Sequence, residues 1–129
     1  VVAVESKIIK GRIFTAQIIE GDIFYLNYAA NELALGFDYK AGYDAYNTLR
    51  EGRLLKVIVE NGEYTVIDNS ARAYLQNNKL QAKAAAIVLP SIAQRIIYNF
   101  YIQFRPHEHP IKAFKNFAKA NEWINSLNI

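Results

Sequence analysis

Three groupings of side chains in this sequence of 129 residues are able to do chemistry, and the first is the polar triplet Asp68-Asn69-Ser70. It follows the short apolar run YTVI and precedes ARAYL, so it reads as the junction between an extended segment and a helix. A carboxylate, an amide or a hydroxyl placed there can accept hydrogen bonds from the unpaired N–H groups of the first helical turn, a cap worth about 1 kcal/mol. The same place suits a phosphate, because a phosphoserine carries roughly −1.5 to −2 charges and the positive end of a helix tolerates them. Ser70 therefore has two readings, a plain helix cap or a phosphorylation switch that keeps the fold and changes the surface offered to a partner.

The second grouping is His107-Glu108-His109, whose imidazoles and carboxylate are of the types that hold zinc. These are the only 2 histidines, the chain has no cysteine, and Pro106 and Pro110 bracket the segment as a structural turn, so no metal and no cofactor are expected. A Ser-His-Asp set could be assembled from Ser70, one of these histidines and Asp68, but no nucleophile-elbow glycines surround the serine. The glycines at 11, 21, 36, 42, 52 and 62 stand singly, so there is no Gly-rich phosphate loop either. The expectation is a binding or signalling module and not an enzyme.

The third grouping is an aromatic stripe, Tyr39, Tyr43 and Tyr46, which faces one side of a helix if Asp38 is the N-cap of a helix running to about Glu51 and ended by Gly52. A second helix from Ser91 to about Phe104 adds Ile96 and Phe100 on a broad apolar face. Together Tyr39, Tyr43, Tyr46, Ile96 and Phe100 are candidate lining residues for a small apolar ligand; the alternative is that they pack on a sheet.

The elements that must position these groups follow from the apolar pattern. RIFTAQII and IFYLNY flank Glu20-Gly21-Asp22 as a β-hairpin, and an extended piece at 32–37 precedes the first helix. LLKVIVE is an interior strand followed by Asn61-Gly62, which either turns YTVI back as a hairpin partner or carries the chain on to the next helix, at about 70–78; the second is preferred. AAAIVLP is a further buried strand, residues 111–115 a short one, and Asn116 caps a final helix with Phe117, Ala120, Ile124 and Leu127 in one stripe. The order ββ(β)αβαβαβα implies an α/β mixed sheet, with residues 1–11 a loosely held lead-in and 12–129 one domain.

Composition narrows the partners. Hydrophobic residues make up 52% and aromatics 13%, which calls for a dense core or extra apolar surface, and a homodimer is one way to hide such surface. The net charge of +3 is spread along the chain, whereas nucleic acid needs a concentrated basic patch, so no nucleic acid is expected. No apolar run approaches the roughly 18 residues of a membrane span, the first residues lack the pattern of a secretory signal, and the missing cysteines remove any need for an oxidising compartment; the cytoplasm is the expected location.

VIDNSARAYL resembles the STAS domain, the family of bacterial anti-anti-sigma factors, in which an apolar run is followed by Asp-Ser-Ser-Gly. Asp68 falls on the aspartate, Asn69 on the first serine and Ser70 on the serine phosphorylated by the family's partner kinase, while Ala71 stands in place of the glycine and Arg72 in place of an apolar residue. AFKNFAKANEWI is similar to the ending of small bacterial STAS-like proteins through Phe114, Ala120, Trp123 and Ile124. The resemblance covers most of residues 12–127 and is nearest an uncharacterised branch. It implies a mixed sheet of about five strands with about four helices mainly on one face. It also implies a non-catalytic signalling module whose surface at Asp68, Asn69, Ser70 and Arg72 binds a protein partner such as a serine kinase or anti-sigma-factor-like regulator. The alternative it leaves is an apolar-ligand or lipid carrier of the same fold.

Overall fold

The structure is a computed structural model and describes residues 7–102 and 109–129. Its strands and helices in chain order are β1 (Ile9–Lys10), β2 (Phe14–Ile19), β3 (Ile23–Tyr28), β4 (Leu33–Ala34), α1 (Gly36–Leu49), β5 (Lys56–Asn61), β6 (Val66–Ile67), α2 (Asn69–Asn77), β7 (Ala84–Val88), α3 (Ile92–Ile102), β8 (Ile111–Phe114) and α4 (Phe117–Ser126). The hairpin forms as expected. Phe14 pairs with Tyr28 and Ile19 with Ile23, and the turn places Gly21 at φ +93° and Asp22 at φ +59°, a left-handed region that glycine enters freely and aspartate tolerates.

The main sheet runs β1-β2-β3-β5-β7-β8, antiparallel through the hairpin and parallel from β3 to β8. β5 has β3 on one side and β7 on the other, so no edge is left on which YTVI could fold back as a hairpin. Asn61-Gly62 instead turns the chain onward. β6 pairs in parallel with β4 as a separate two-residue ladder, Leu33 opposite Val66 and Ala34 opposite Ile67.

Strands β3 and β5 are apolar on both faces, which obliges helices to cover both. Phe24, Leu26, Tyr28, Val57 and Val59 point to one face and pack with Tyr39, Ala45, Tyr46 and Leu49 of α1 and Ala71 of α2. Ile23, Tyr25 and Ile58 point to the other, where Ala84, Ala86 and Val88 meet Ala120 and Ile124 of α4. The three crossovers β3-α1-β5, β5-α2-β7 and β7-α3-β8 step across the sheet in one direction, and right-handed connections put their helices on a common face. The helices thus lie mainly on one side, with α4 opposite.

The start of α1 differs from the expectation. Asp38 is not the N-cap: the helix begins at Gly36 after Leu35, and Asp38 is the third helical residue. Its carboxylate, 1% exposed, accepts the Leu35 N–H at 2.8 Å and ion-pairs with Arg12 at 2.6 Å. An acid at this position can reach back to the cap residue's N–H as well as serve as a cap itself, and Arg12 from outside the helix decides between them.

Replacing Ile124 by alanine is expected to cost about 2–5 kcal/mol of unfolding free energy, because α4 buries this side chain against the sheet. Ile129→Ala, at an exposed position, is expected to stay within about 0.5 kcal/mol, and urea denaturation of both variants measures the contrast.

Candidate functional site

Asp68 is the N-cap of α2, with extended backbone at φ −79° and ψ 179°. Its Oδ1 accepts the Ala71 N–H at 2.8 Å and the Ser70 hydroxyl at 2.7 Å, and its own N–H donates to Ala34 O at 3.1 Å, which ties the cap to the β4–β6 ladder. The Ser70 hydroxyl also accepts the Gly36 N–H at 2.9 Å. A single exposed hydroxyl therefore links the first turns of α1 and α2. A side chain at Gly36 would not fit this approach, since its Cβ would lie 2.9 Å from the Ser70 carbonyl oxygen. Arg72 reaches back over the junction, donating to Asn69 Oδ1 at 3.1 Å and to Ile67 O at 3.5 Å. The Ala71 N–H first, then the Ser70 hydroxyl, hold the Asp68 carboxyl below its ordinary range.

Asp68, Asn69, Ser70 and Arg72 are thus one hydrogen-bonded group. Around them lie residues the sequence reading did not single out. Leu33, Phe37 and Val66 are 51%, 56% and 60% exposed, and Leu33 and Val66 face each other across the ladder. Arg12 joins Phe37 to the same surface: its guanidinium lies 5.4 Å from that ring centroid and donates to Leu33 O at 2.7 Å. The sequence signal for these groups is slight, the acid two residues after Gly36 being the best of it.

The tyrosine stripe is dispersed into packing. Tyr39 and Tyr46 are buried, with hydroxyls donating to Asn61 Oδ1 at 2.9 Å and Gln81 O at 2.6 Å, and Tyr43 meets Tyr74 edge-on with ring centroids 5.3 Å apart. Tyr43 and Tyr46 do border a cleft of about 240 Å³, but Asn47, Arg50, Lys79, Leu80 and Gln81 complete it. Ile96 is exposed on α3, away from that cleft, and the Phe100 side chain lies outside the described residues. His107 and Glu108 also lie outside them, while His109 Nε2 is 3.2 Å from Leu80 O; among the described residues no three His, Cys, Asp or Glu side chains gather as a metal site. Nor is any helix among them long and apolar enough to cross a membrane.

A carboxyl whose folded pKa is depressed adds stability above its unfolded value, and that stability is lost as pH falls through the folded value. The Asp68 carboxyl carbon, followed by NMR, is accordingly expected to titrate below the ordinary value of about 3.9, and Ser70→Ala is expected to move the midpoint back towards it. An unchanged midpoint in Ser70→Ala would show that the hydroxyl contributes nothing to the carboxylate.

Comparison with known proteins agrees with this architecture. A solved structure of an uncharacterised protein from Shewanella loihica PV-4, of the DUF3478 family and with a SpoIIAA-like fold, matches with a TM-score of 0.59 and 18% identity over 92% of this chain and 90% of that one. The fold is accordingly SpoIIAA-like, that is, STAS-like. No curated protein matches. A family model described as a domain of unknown function, DUF7793, matches residues 17–128, from the hairpin through the last helix, and the chain belongs to that family.

Proposed function

We propose that this chain is a non-catalytic, STAS-like interaction module of the cytoplasm. It binds a protein partner through Asp68, Asn69, Ser70 and Arg72, and phosphorylation of Ser70 switches the binding. The observation that carries the reading is the Ser70 hydroxyl, exposed to solvent yet bonded to the N–H of Gly36 at the start of α1 and to the cap of α2. A phosphate there meets the positive ends of two helices while standing beside the Asp68 carboxylate, so it is held by N–H groups and repels its present partner. The group that must yield is the cap, and the exposed Leu33, Phe37 and Val66 beside it are the surface that changes.

A serine kinase or a regulator of the anti-sigma-factor type is the partner this chemistry fits. The SpoIIAA-like fold supports the reading as a background.

The test is affinity capture with wild-type, Ser70→Ala and Ser70→Asp chains, each verified as folded by circular dichroism and read by quantitative mass spectrometry. At least one partner retained by wild type and Ser70→Ala is expected to fall about tenfold with Ser70→Asp, equivalent to about 1.4 kcal/mol of binding. Equal capture of every partner by all three chains would remove the switch.

A further inference from the structure

The last turns of α1 and the connector from α2 to β7 border the cleft of about 240 Å³, and Arg50 and Lys79 both line it. A cation near a helix C-terminus is ordinary, because the helix dipole favours it. The second cation comes from elsewhere in the chain. The Tyr46 hydroxyl donates to Gln81 O at 2.6 Å and so holds the connector, with Lys79 on it, against α1. Among the described residues no aspartate or glutamate lines the cleft. Asp44, one turn before Asn47 on α1, is paired with Lys40, and Glu51, next to Arg50 in the chain, is not part of the lining.

The guanidinium is held in place by neutral acceptors. Its Nε–H donates to Asn47 Oδ1 at 2.8 Å and its Nη1 to Arg53 O at 3.0 Å, while its carbon lies 5.5 Å from the Tyr46 ring centroid. Among the described residues Arg50 Nη2 and Lys79 Nζ have no hydrogen-bond partner. Two cations thus share one concavity with donors left over and no carboxylate beside them.

We propose that this cleft binds a small phosphate monoester, whose oxygens take Arg50 Nη2 and Lys79 Nζ. A phosphate monoester carries about −1.5 to −2 charges and three acceptor oxygens, so it can engage a guanidinium and an ammonium together. A carboxylate brings less charge and fewer acceptors. Because Arg50 is already held, little side-chain freedom is lost on binding. A lipid headgroup is the poorer source, since Leu80 is the one aliphatic residue of the lining and acyl chains need more apolar cover. The volume, below the roughly 300–1,000 Å³ of pockets for drug-sized molecules, also calls for a small ligand. The site is separate from the Ser70 junction: along α1, roughly 16 Å of helix lies between Gly36 and Asn47.

Amide NMR titration of the full chain with phenyl phosphate at low ionic strength tests this, beside benzoate, benzylamine and vesicles containing phosphatidic acid. Phenyl phosphate is expected to shift the amides of residues 46–50 and 79–81 with a Kd of about 1 mM or tighter, and benzoate to bind at least about fivefold more weakly. Arg50→Gln and Lys79→Gln, each verified as folded by circular dichroism, are expected to weaken phenyl phosphate about tenfold. Lys115→Gln, which removes an exposed charge outside the cleft, is expected to leave it unchanged. No shift at the cleft, an equal loss in Lys115→Gln, equal binding of benzoate or benzylamine, or tighter binding of the vesicles would overturn the inference. Ser70→Asp is expected to bind phenyl phosphate as wild type does, so failure of this site and failure of the switch are read separately.

Discussion

A buried carboxylate must be neutralised where it sits, and in this fold the group that neutralises Asp38 also builds the site. Burial alone would raise the Asp38 pKa, but the bonds from Arg12 and the Leu35 N–H outweigh it and hold the carboxyl ionised below its usual range. Arg12, just ahead of β2, thereby clamps the first turn of α1, and the same guanidinium holds Leu33 O on β4. With α1 so placed, the Gly36 N–H points at Ser70. The junction at Asp68 thus depends on an ion pair formed between residues 26 positions apart in the chain. As pH falls through the depressed value the pair is lost, and with it the support for the first turn of α1.

The double-faced strands explain why the site lies where it does. β3 and β5 are interior strands that need cover on both sides, and the parallel order forces each crossover helix to begin at the same end of the sheet. Two of those beginnings, α1 and α2, are close enough for a serine of one to take an N–H of the other. The short β4–β6 ladder stitches the two approaches together just before the helices start. Its exposed residues, Leu33 and Val66, are left facing solvent beside the serine.

Much of this was legible in the chain. The hairpin around Gly21, the buried run at Ala84–Val88, the Asn116 cap, whose Oδ1 accepts the Lys119 N–H at 2.9 Å, and a cap within the triplet Asp68-Asn69-Ser70, which the structure assigns to Asp68, all rest on local patterns, and local patterns survive folding. The start of α1 did not. Asp38 has the chemistry of a cap and of a third-position acid alike, and the choice depends on Arg12, far away in sequence. The β4–β6 ladder escaped because two residues carry no periodicity. The exposure of Leu33, Phe37 and Val66 escaped for another reason: an apolar side chain is by default assigned to a core, and only the arrangement of the elements shows that these three stay more than half exposed. The tyrosines show the converse: Tyr39 and Tyr46, from a stripe that could line a ligand, stack and hydrogen-bond inside the fold, while Tyr43 borders a cleft.

The central claim is that Ser70 is a latch between the first turns of α1 and α2, and amide NMR of a chain carrying phosphoserine at position 70 by semisynthesis measures it most directly. The account predicts shifts concentrated in residues 33–38 and 66–73, with the Gly36 amide among the most displaced and the strands β3, β5 and β7 undisturbed. Shifts spread through those strands, or a Gly36 amide that does not move, would contradict it.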